Sequence, residues 1–468
     1  MRTTLALIAT SLFIGIVTMT ARADTAPPSA GEADVLSPLT PERAVEIALA
    51  RNPELRQARE RLEEIRAQEI QARALMLPQV TAEGSARRDR DPGLLNSPNF
   101  EQLSSNPGFD SSFLLPIPVT SYDYSLTVEQ PIYQFGKLRA GIAALRLLER
   151  SVDTDVMGRA LDVARDTAIA CFDVALADAR LDVLQAERRS RERQVEQAAD
   201  FLDIGAGTRL QLLQAQAALA GVRPRLLSTH GEQQEARARL NRLLGRDPLA
   251  EVDVAPELLS PAELVDIPHE AELAERVKNR PELVALRLEQ DALRMQQRVV
   301  RADRLPSLRF TGSYGIRTIA AENLFDSDFA SWSAGVVLEV PVYDGSDRRG
   351  QLDEVASRIR QKGLETEARR AELLERLVRS ATEYRSAREA SEAAAVAEER
   401  AIEAHRVAQE EYRFGAATVL DTLETERTLT EARLQRLSTV RDALVALTRV
   451  TTLAGRWPGA VLSGGGGP

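Results

Sequence analysis

A single cysteine, Cys171, in 468 residues excludes an intramolecular disulfide and a cysteine-built zinc site. The three histidines, His230, His269 and His405, are far apart without ligand spacing and read as surface or packing residues. Aromatic residues make up only 4% of the chain, too few for a broad globular core. Basic residues are in deficit, 60 against 70 acidic ones, which argues against nucleic acid as a partner. Nothing pairs a nucleophile with a base and an orienting group, so neither an enzyme nor a cofactor is expected. Beyond the N-terminal leader no apolar run approaches the ~20 residues of a transmembrane helix. An exported chain of this kind would have to enter a membrane with strands.

The leader itself has the three parts of a secretory signal peptide: Arg2, the apolar run Leu5 to Met19, and Ala21-Arg22-Ala23. Cleavage near Ala23 is expected, leaving residues 24–38 as a flexible, Pro- and Ala-rich arm. Asp24 follows the cleavage point, which argues against an N-terminal lipid anchor.

What fills the rest is long helix, written twice. Asn52-Pro53-Glu54-Leu55 returns as Arg280-Pro281-Glu282-Leu283, and Leu77-Pro78 as Leu305-Pro306, both at an offset of 228. Pro131 and Tyr133 return as Pro341 and Tyr343 at an offset of 210, so the first of two strand loops is 18 residues longer. Each half reads helix, strand, loop, strand, very long helix, tip, long helix. We therefore place repeat 1 at 39–248, a Pro-punctuated linker at 249–268, repeat 2 at 269–457 and a flexible tail at 458–468. Strands are expected at about 79–88, 121–130, 307–317 and 331–340. In the second of these Tyr122, Tyr124, Leu126 and Val128 alternate with polar residues. The helix from Lys137 to Asp200 would be roughly 95 Å long. Val163, Thr167, Ala170, Val174, Ala177, Leu181 and Leu184 give it a heptad seam for lengthwise packing.

The tips are the best-marked points. Gly205 and Thr208 match Gly415 and Thr418: a glycine able to take positive φ closes one helix, and a threonine three residues on caps the next. The second copy carries Asp421 and Glu424 on one helix face where the first has Gln211 and Gln214. Gly205-Ala206-Gly207-Thr208 is no phosphate loop, since it follows a helix and lacks a lysine.

The leader, the duplicated order of elements, the Pro-Glu-Leu openings, the Leu-Pro and Pro-Ile-Tyr or Pro-Val-Tyr junctions and the two Gly-x-x-Thr tips together resemble the TolC family of outer-membrane efflux proteins. The likeness runs from about Leu39 to Trp457. It implies a mainly α fold with a β-barrel portion: a homotrimer with a 12-stranded barrel in outer-membrane lipid and a periplasmic α-helical tunnel. A periplasmic adaptor (membrane fusion) protein and an inner-membrane pump or ABC exporter would be its partners. Pro78, Pro131, Pro306 and Pro341 would mark the strand–helix junctions, and the Gly205 and Gly415 tips would dock the adaptor. Asp421 and Glu424 would line the periplasmic gate, with Tyr412 in its latch. Ala417 departs from the family pattern, in which a basic residue is frequent, and Gln211 stands where some members are acidic. The other reading is a periplasmic coiled-coil adaptor or structural protein of an export system; an adaptor would carry one helical hairpin rather than two.

Overall fold

The computed structural model describes residues 38–90, 118–261 and 264–455. The leader, most of the arm, the first strand loop and the tail lie outside them.

Both repeats begin with a pair of helices, and three of these four are led by proline. α1 (Pro41–Arg51) and α2 (Pro53–Ala74) open the first; α5 (Glu270–Val277) and α6 (Pro281–Ala302) open the second. Proline suits the first helical turn, where its missing N–H would have had no partner. Asn52 caps α2, accepting from the N–H groups of Glu54 (2.9 Å) and Leu55 (3.2 Å), while its Nδ2 donates to the Leu243 carbonyl at 2.9 Å. Arg280 stands at the matching place in the second repeat and donates to the Thr452 carbonyl at 2.5 Å. Each residue thus ties the start of one helix to the end of another. Asn52→Ala would lose the cap and leave a buried carbonyl unpaired, and is expected to cost about 2–3 kcal/mol in a urea unfolding titration. A loss below about 0.5 kcal/mol would refute this account, being the size of an ordinary surface substitution.

Two pairs of unequal helices form the shaft. α3 (Lys137–Asp203) and α7 (Asp347–Arg413) have 67 residues each; the return helices α4 (Arg209–Leu243) and α8 (Val419–Leu453) have 35. At 1.5 Å per residue the longer ones extend ~100 Å. The seam residues Val163, Ala170 and Val174 are buried with Leu240, Leu243, Val440 and Leu444 in one core cluster. Cys171 sits in the same cluster, its thiol pushed up to about 12 chiefly by burial. A second cluster joins Leu273, Leu283, Leu373, Leu377, Tyr384 and Leu447. The interrepeat segment is packed, not loose: Val252, Val254 and Leu258 are buried, Leu39 bridges Val254, and the Val265 carbonyl accepts from the Tyr384 hydroxyl at 2.6 Å.

Four antiparallel strands, β1 (Gln79–Asp89), β2 (Val119–Tyr133), β3 (Ser307–Thr318) and β4 (Ala330–Glu339), pair in chain order. Opposed residues share a face. The register puts Val80, Ala82, Val128, Leu126, Tyr124, Tyr314, Ile316, Phe310, Trp332, Val336 and Leu338 on one side. The other holds Thr81, Ser125, Thr127, Ser313 and Ser333, with an Arg317–Asp123 ion pair at 2.6 Å. Trp332 on the apolar side is 77% exposed in the single chain.

Pro78 and Pro306 directly precede β1 and β3, and Pro341 falls just after β4. Pro131 corrects the expectation that it ends its strand: pairing with β3 continues to Tyr133 through a register shift. β1 begins at Gln79 opposite Glu129, so past that point β2 has a neighbour on one side only. A proline nitrogen, with no hydrogen to donate, is tolerated at such an edge.

Candidate functional site

Gly205 (φ 76°) and Gly415 (φ 74°) turn the chain at the two tips in the left-handed conformation that glycine adopts without strain. The following N–H groups fold back on the last helical turn. Those of Ala206 and Gly207 donate to the Phe201 carbonyl, each at 2.8 Å; those of Ala416 and Ala417 donate to the Glu411 carbonyl at 2.8 and 3.3 Å. The longer last bond falls where Ala417 replaces glycine. A Cβ on Gly207 would approach the Phe201 Cβ to 3.0 Å, so the second tip has the slacker version of the turn.

Thr208 and Thr418 then cap α4 and α8 through identical reciprocal boxes. The Thr208 hydroxyl accepts from the Gln211 N–H at 3.3 Å while the Gln211 side chain accepts from the Thr208 N–H at 2.8 Å. Thr418 and Asp421 repeat this at 3.3 and 2.8 Å, and the Thr418 hydroxyl also donates to Asp421 at 2.6 Å. Gln211 and Asp421 therefore do the same local work, and what differs is the charge. The Thr418 hydroxyl and N–H hold the Asp421 carboxyl below its usual value. Glu424, one turn on and likewise exposed, is held low by its bonds to Arg427 at 2.5 and 3.1 Å. Arg427 also grips Glu431 at 2.7 Å, a pairing the sequence reading missed.

Tyr412 stands near the end of α7. Its ring meets the edge of Phe201 from the other tip at 5.9 Å, and burial raises its hydroxyl above the ordinary tyrosine value. A cavity of about 240 Å³ opens between the hairpins here, lined by Gln194 and Gln197 of α3 and by Gln409, Tyr412, Val419 and Thr422.

Further from the tips, α3 carries two buried charges, Arg191 towards α8 and Glu187 towards α4. Arg191 Nε is 3.2 Å from the Glu426 carboxylate, and its Nη2 donates to the Leu423 carbonyl at 3.2 Å. Gln194 donates to the same Glu426 oxygen at 2.8 Å. Glu187, 3.8 Å from Arg191, accepts from Arg225 of α4 at 2.9 Å, and burial nevertheless pushes its carboxyl up. His405 on α7 completes the surroundings, bonded to Thr425 and Gln409 and shifted down by burial. This cluster also escaped the sequence reading. Its signal was present: continuing the three-and-four seam beyond Leu184 lands on Arg188 and then Arg191, a charge at a position meant for a small apolar residue.

The family model described as outer membrane efflux protein matches residues 44–246 and 273–456. The alkaline protease secretion protein AprF of Pseudomonas aeruginosa is 25% identical over 348 residues, 72% of this chain and 70% of AprF. The pyoverdine export outer membrane protein OpmQ of Pseudomonas putida is 25% identical over 446 residues, 89% of this chain and 86% of OpmQ. Among solved structures, the CmeC outer membrane channel of Campylobacter jejuni matches with a TM-score of 0.73 at 18% identity, over 91% of this chain and 90% of CmeC. The open state of the MtrE outer membrane channel of Neisseria gonorrhoeae matches with a TM-score of 0.72 at 20% identity, over 89% of each chain. At these identities the structural likeness bears on the fold alone.

Proposed function

Because the chain belongs to the outer membrane efflux protein family, we propose that three copies close their sheets into one twelve-stranded barrel continued by an α-helical periplasmic tunnel. The chain is the outer-membrane channel component of an efflux or secretion system, and its site is the conduit itself. One observation supports a barrel shared between copies: a four-stranded sheet with one apolar face, one polar face and, among the described residues, one unpaired edge on each outer strand. In hydrocarbon each unsatisfied backbone group costs several kcal/mol, so the outer edges of β1 and β4 must pair with other copies. The apolar face then meets lipid, and the polar face lines the passage.

At the far end the Gly205 and Gly415 tips would meet a periplasmic adaptor, and through it an inner-membrane pump or ABC exporter that supplies the energy. Asp421 and Glu424, three of each around the axis, would form the acidic periplasmic mouth, with the Tyr412–Phe201 contact joining the tips. The leader is removed near Ala23, and residues 249–268 link the two repeats.

Membrane fractionation with detergent extraction tests this reading. The expected product is an outer-membrane trimer whose mature sequence begins at Asp24. Folded monomer recovered from the soluble periplasm would sink it.

A further inference from the structure

We propose that Arg191 is a positioning residue for the mouth. From the first hairpin it holds the stretch of α8 that carries Asp421 and Glu424, and letting go of that stretch allows the second hairpin to swing away. The inference rests on the reading of Asp421 and Glu424 as the mouth.

The geometry is direct. The carbonyl that Arg191 grips, at Leu423, belongs to the residue just before Glu424, and the carboxylate it faces, at Glu426, lies two residues after it. Gln194 adds a second strut to the same carboxylate. From Gly205 back to Arg191 is about four helical turns, so the grip acts roughly 21 Å from the tip. Between grip and tip the hairpins are separated by the 240 Å³ cavity and meet again at the Tyr412 and Phe201 rings. Val419 and Leu423 of the same stretch are buried, and the directed polar bonds from α3 add to that packing where the cavity interrupts it.

The choice of residues points the same way. Glu187, Arg191 and Glu426 are only 6, 4 and 4% exposed. They are three of the five buried Asp, Glu, Lys or Arg residues among those described, the others being Glu69 and Arg280. Well-packed apolar residues usually match or exceed the stability of such a buried set. This one, moreover, leaves the Arg191 Nε without a hydrogen bond. A charged grip has a property that an apolar seam lacks: it fixes one alignment, yet once parted each of its members is well solvated. Charge is balanced across the facing elements, with Arg191 and Glu187 on α3, Arg225 on α4 and Glu426 on α8. Glu187 keeps Arg225 if the Arg191–Glu426 link is removed.

That last point gives a variant with no stranded charge, Arg191→Met/Glu426→Gln. Spin labels on Ala206→Cys and Ala416→Cys report the separation of the tips. Cys171, fully buried, stays unlabelled. In the detergent-extracted trimer the variant is expected to broaden and lengthen the tip–tip distance distribution. In planar bilayers the open fraction should rise at least ~10-fold, the size of shift that 1.4 kcal/mol produces. Arg191→Lys, which keeps the charge but cannot span both acceptors, should fall between parent and double variant. A role confined to folding would lower the melting temperature and leave distance and open fraction as in the parent; that result overturns the proposal, as does double-variant behaviour from Glu69→Gln. Ion selectivity is read in the same recordings. If Asp421 and Glu424 substitutions leave it unchanged while the Arg191 variant still parts the tips, the mouth assignment fails and the grip stands.

Discussion

Asp421→Asn/Glu424→Gln is expected to abolish cation preference in planar-bilayer recordings, bringing the cation-to-anion permeability ratio close to unity. The exposed stripe at the start of α8 carries Asp421, Glu424, Arg427 and Glu431. With the first two neutral, Arg427 is still balanced by Glu431, so the mouth loses its net negative charge without gaining a positive one. Asn at 421 retains an oxygen to accept from the Thr418 N–H, so the cap and the fold should persist. Both carboxylates are held below their own ordinary values, Asp421 through Thr418 and Glu424 through Arg427. A lowered value means the charge remains until pH falls below the ordinary carboxylate range of about 4, so parent selectivity should be flat from pH 8 to about pH 5. Selectivity unchanged in the double variant would remove these residues from the mouth.

The sheet makes the second strong prediction. Leu126→Arg, at the centre of β2 on the apolar face, should cost about 2–4 kcal/mol of insertion free energy, the depth-dependent penalty for a cation facing lipid near the midplane. Thr127→Arg, one residue along and on the opposite face, should insert like the parent. Leu126 stands between Ala82 and Tyr314, and Thr127 between Thr81 and Ser313, so the pair isolates facing from position along the strand. The measurement is the folded, heat-modifiable fraction in the outer membrane. Equal fractions for the two variants would mean that the faces have been assigned wrongly.

The elements that local chemistry controls were legible in the sequence. Glycine and threonine three apart gave both tips, because a left-handed turn and an oxygen cap are decided within a few residues. Proline gave the starts of α1, α2 and α6, and the alternation of Tyr122, Tyr124, Leu126 and Val128 gave one face of β2. Where neighbours decide, the reading failed or stayed incomplete. Pro131 looked like a terminator, but whether a proline can stay in a strand depends on which edge lacks a partner, and that is a property of β1. Asp421 looked like charge set against the neutral Gln211, yet both fill the same capping box; the cap hid the shared role behind different side chains. Arg191, Glu187 and Glu426 lie 14, 18 and 11 positions from the nearer tip glycine, without any common spacing. Only the packing of α3 against α8 brings them together.

The ladder between β2 and β3 has a larger consequence, because the chain is a duplication. Advancing β2 by 210 gives β4, and moving β3 back by 228 gives β1. The joint inside one chain is thus a template for the joint between chains, and the proposed barrel has pseudo-sixfold rather than merely threefold symmetry. Carried over, Leu126 opposite Tyr314 becomes Val336 opposite Ala86 of the next copy, and Val128 opposite Gly312 becomes Leu338 opposite its Gly84. Short-reach crosslinking from Val336→Cys should capture Ala86→Cys and miss Arg87→Cys; the reverse pattern would break the symmetry. Specificity of assembly would then have needed no separate invention, since the edges that join three chains inherited their match from the strands that join two repeats.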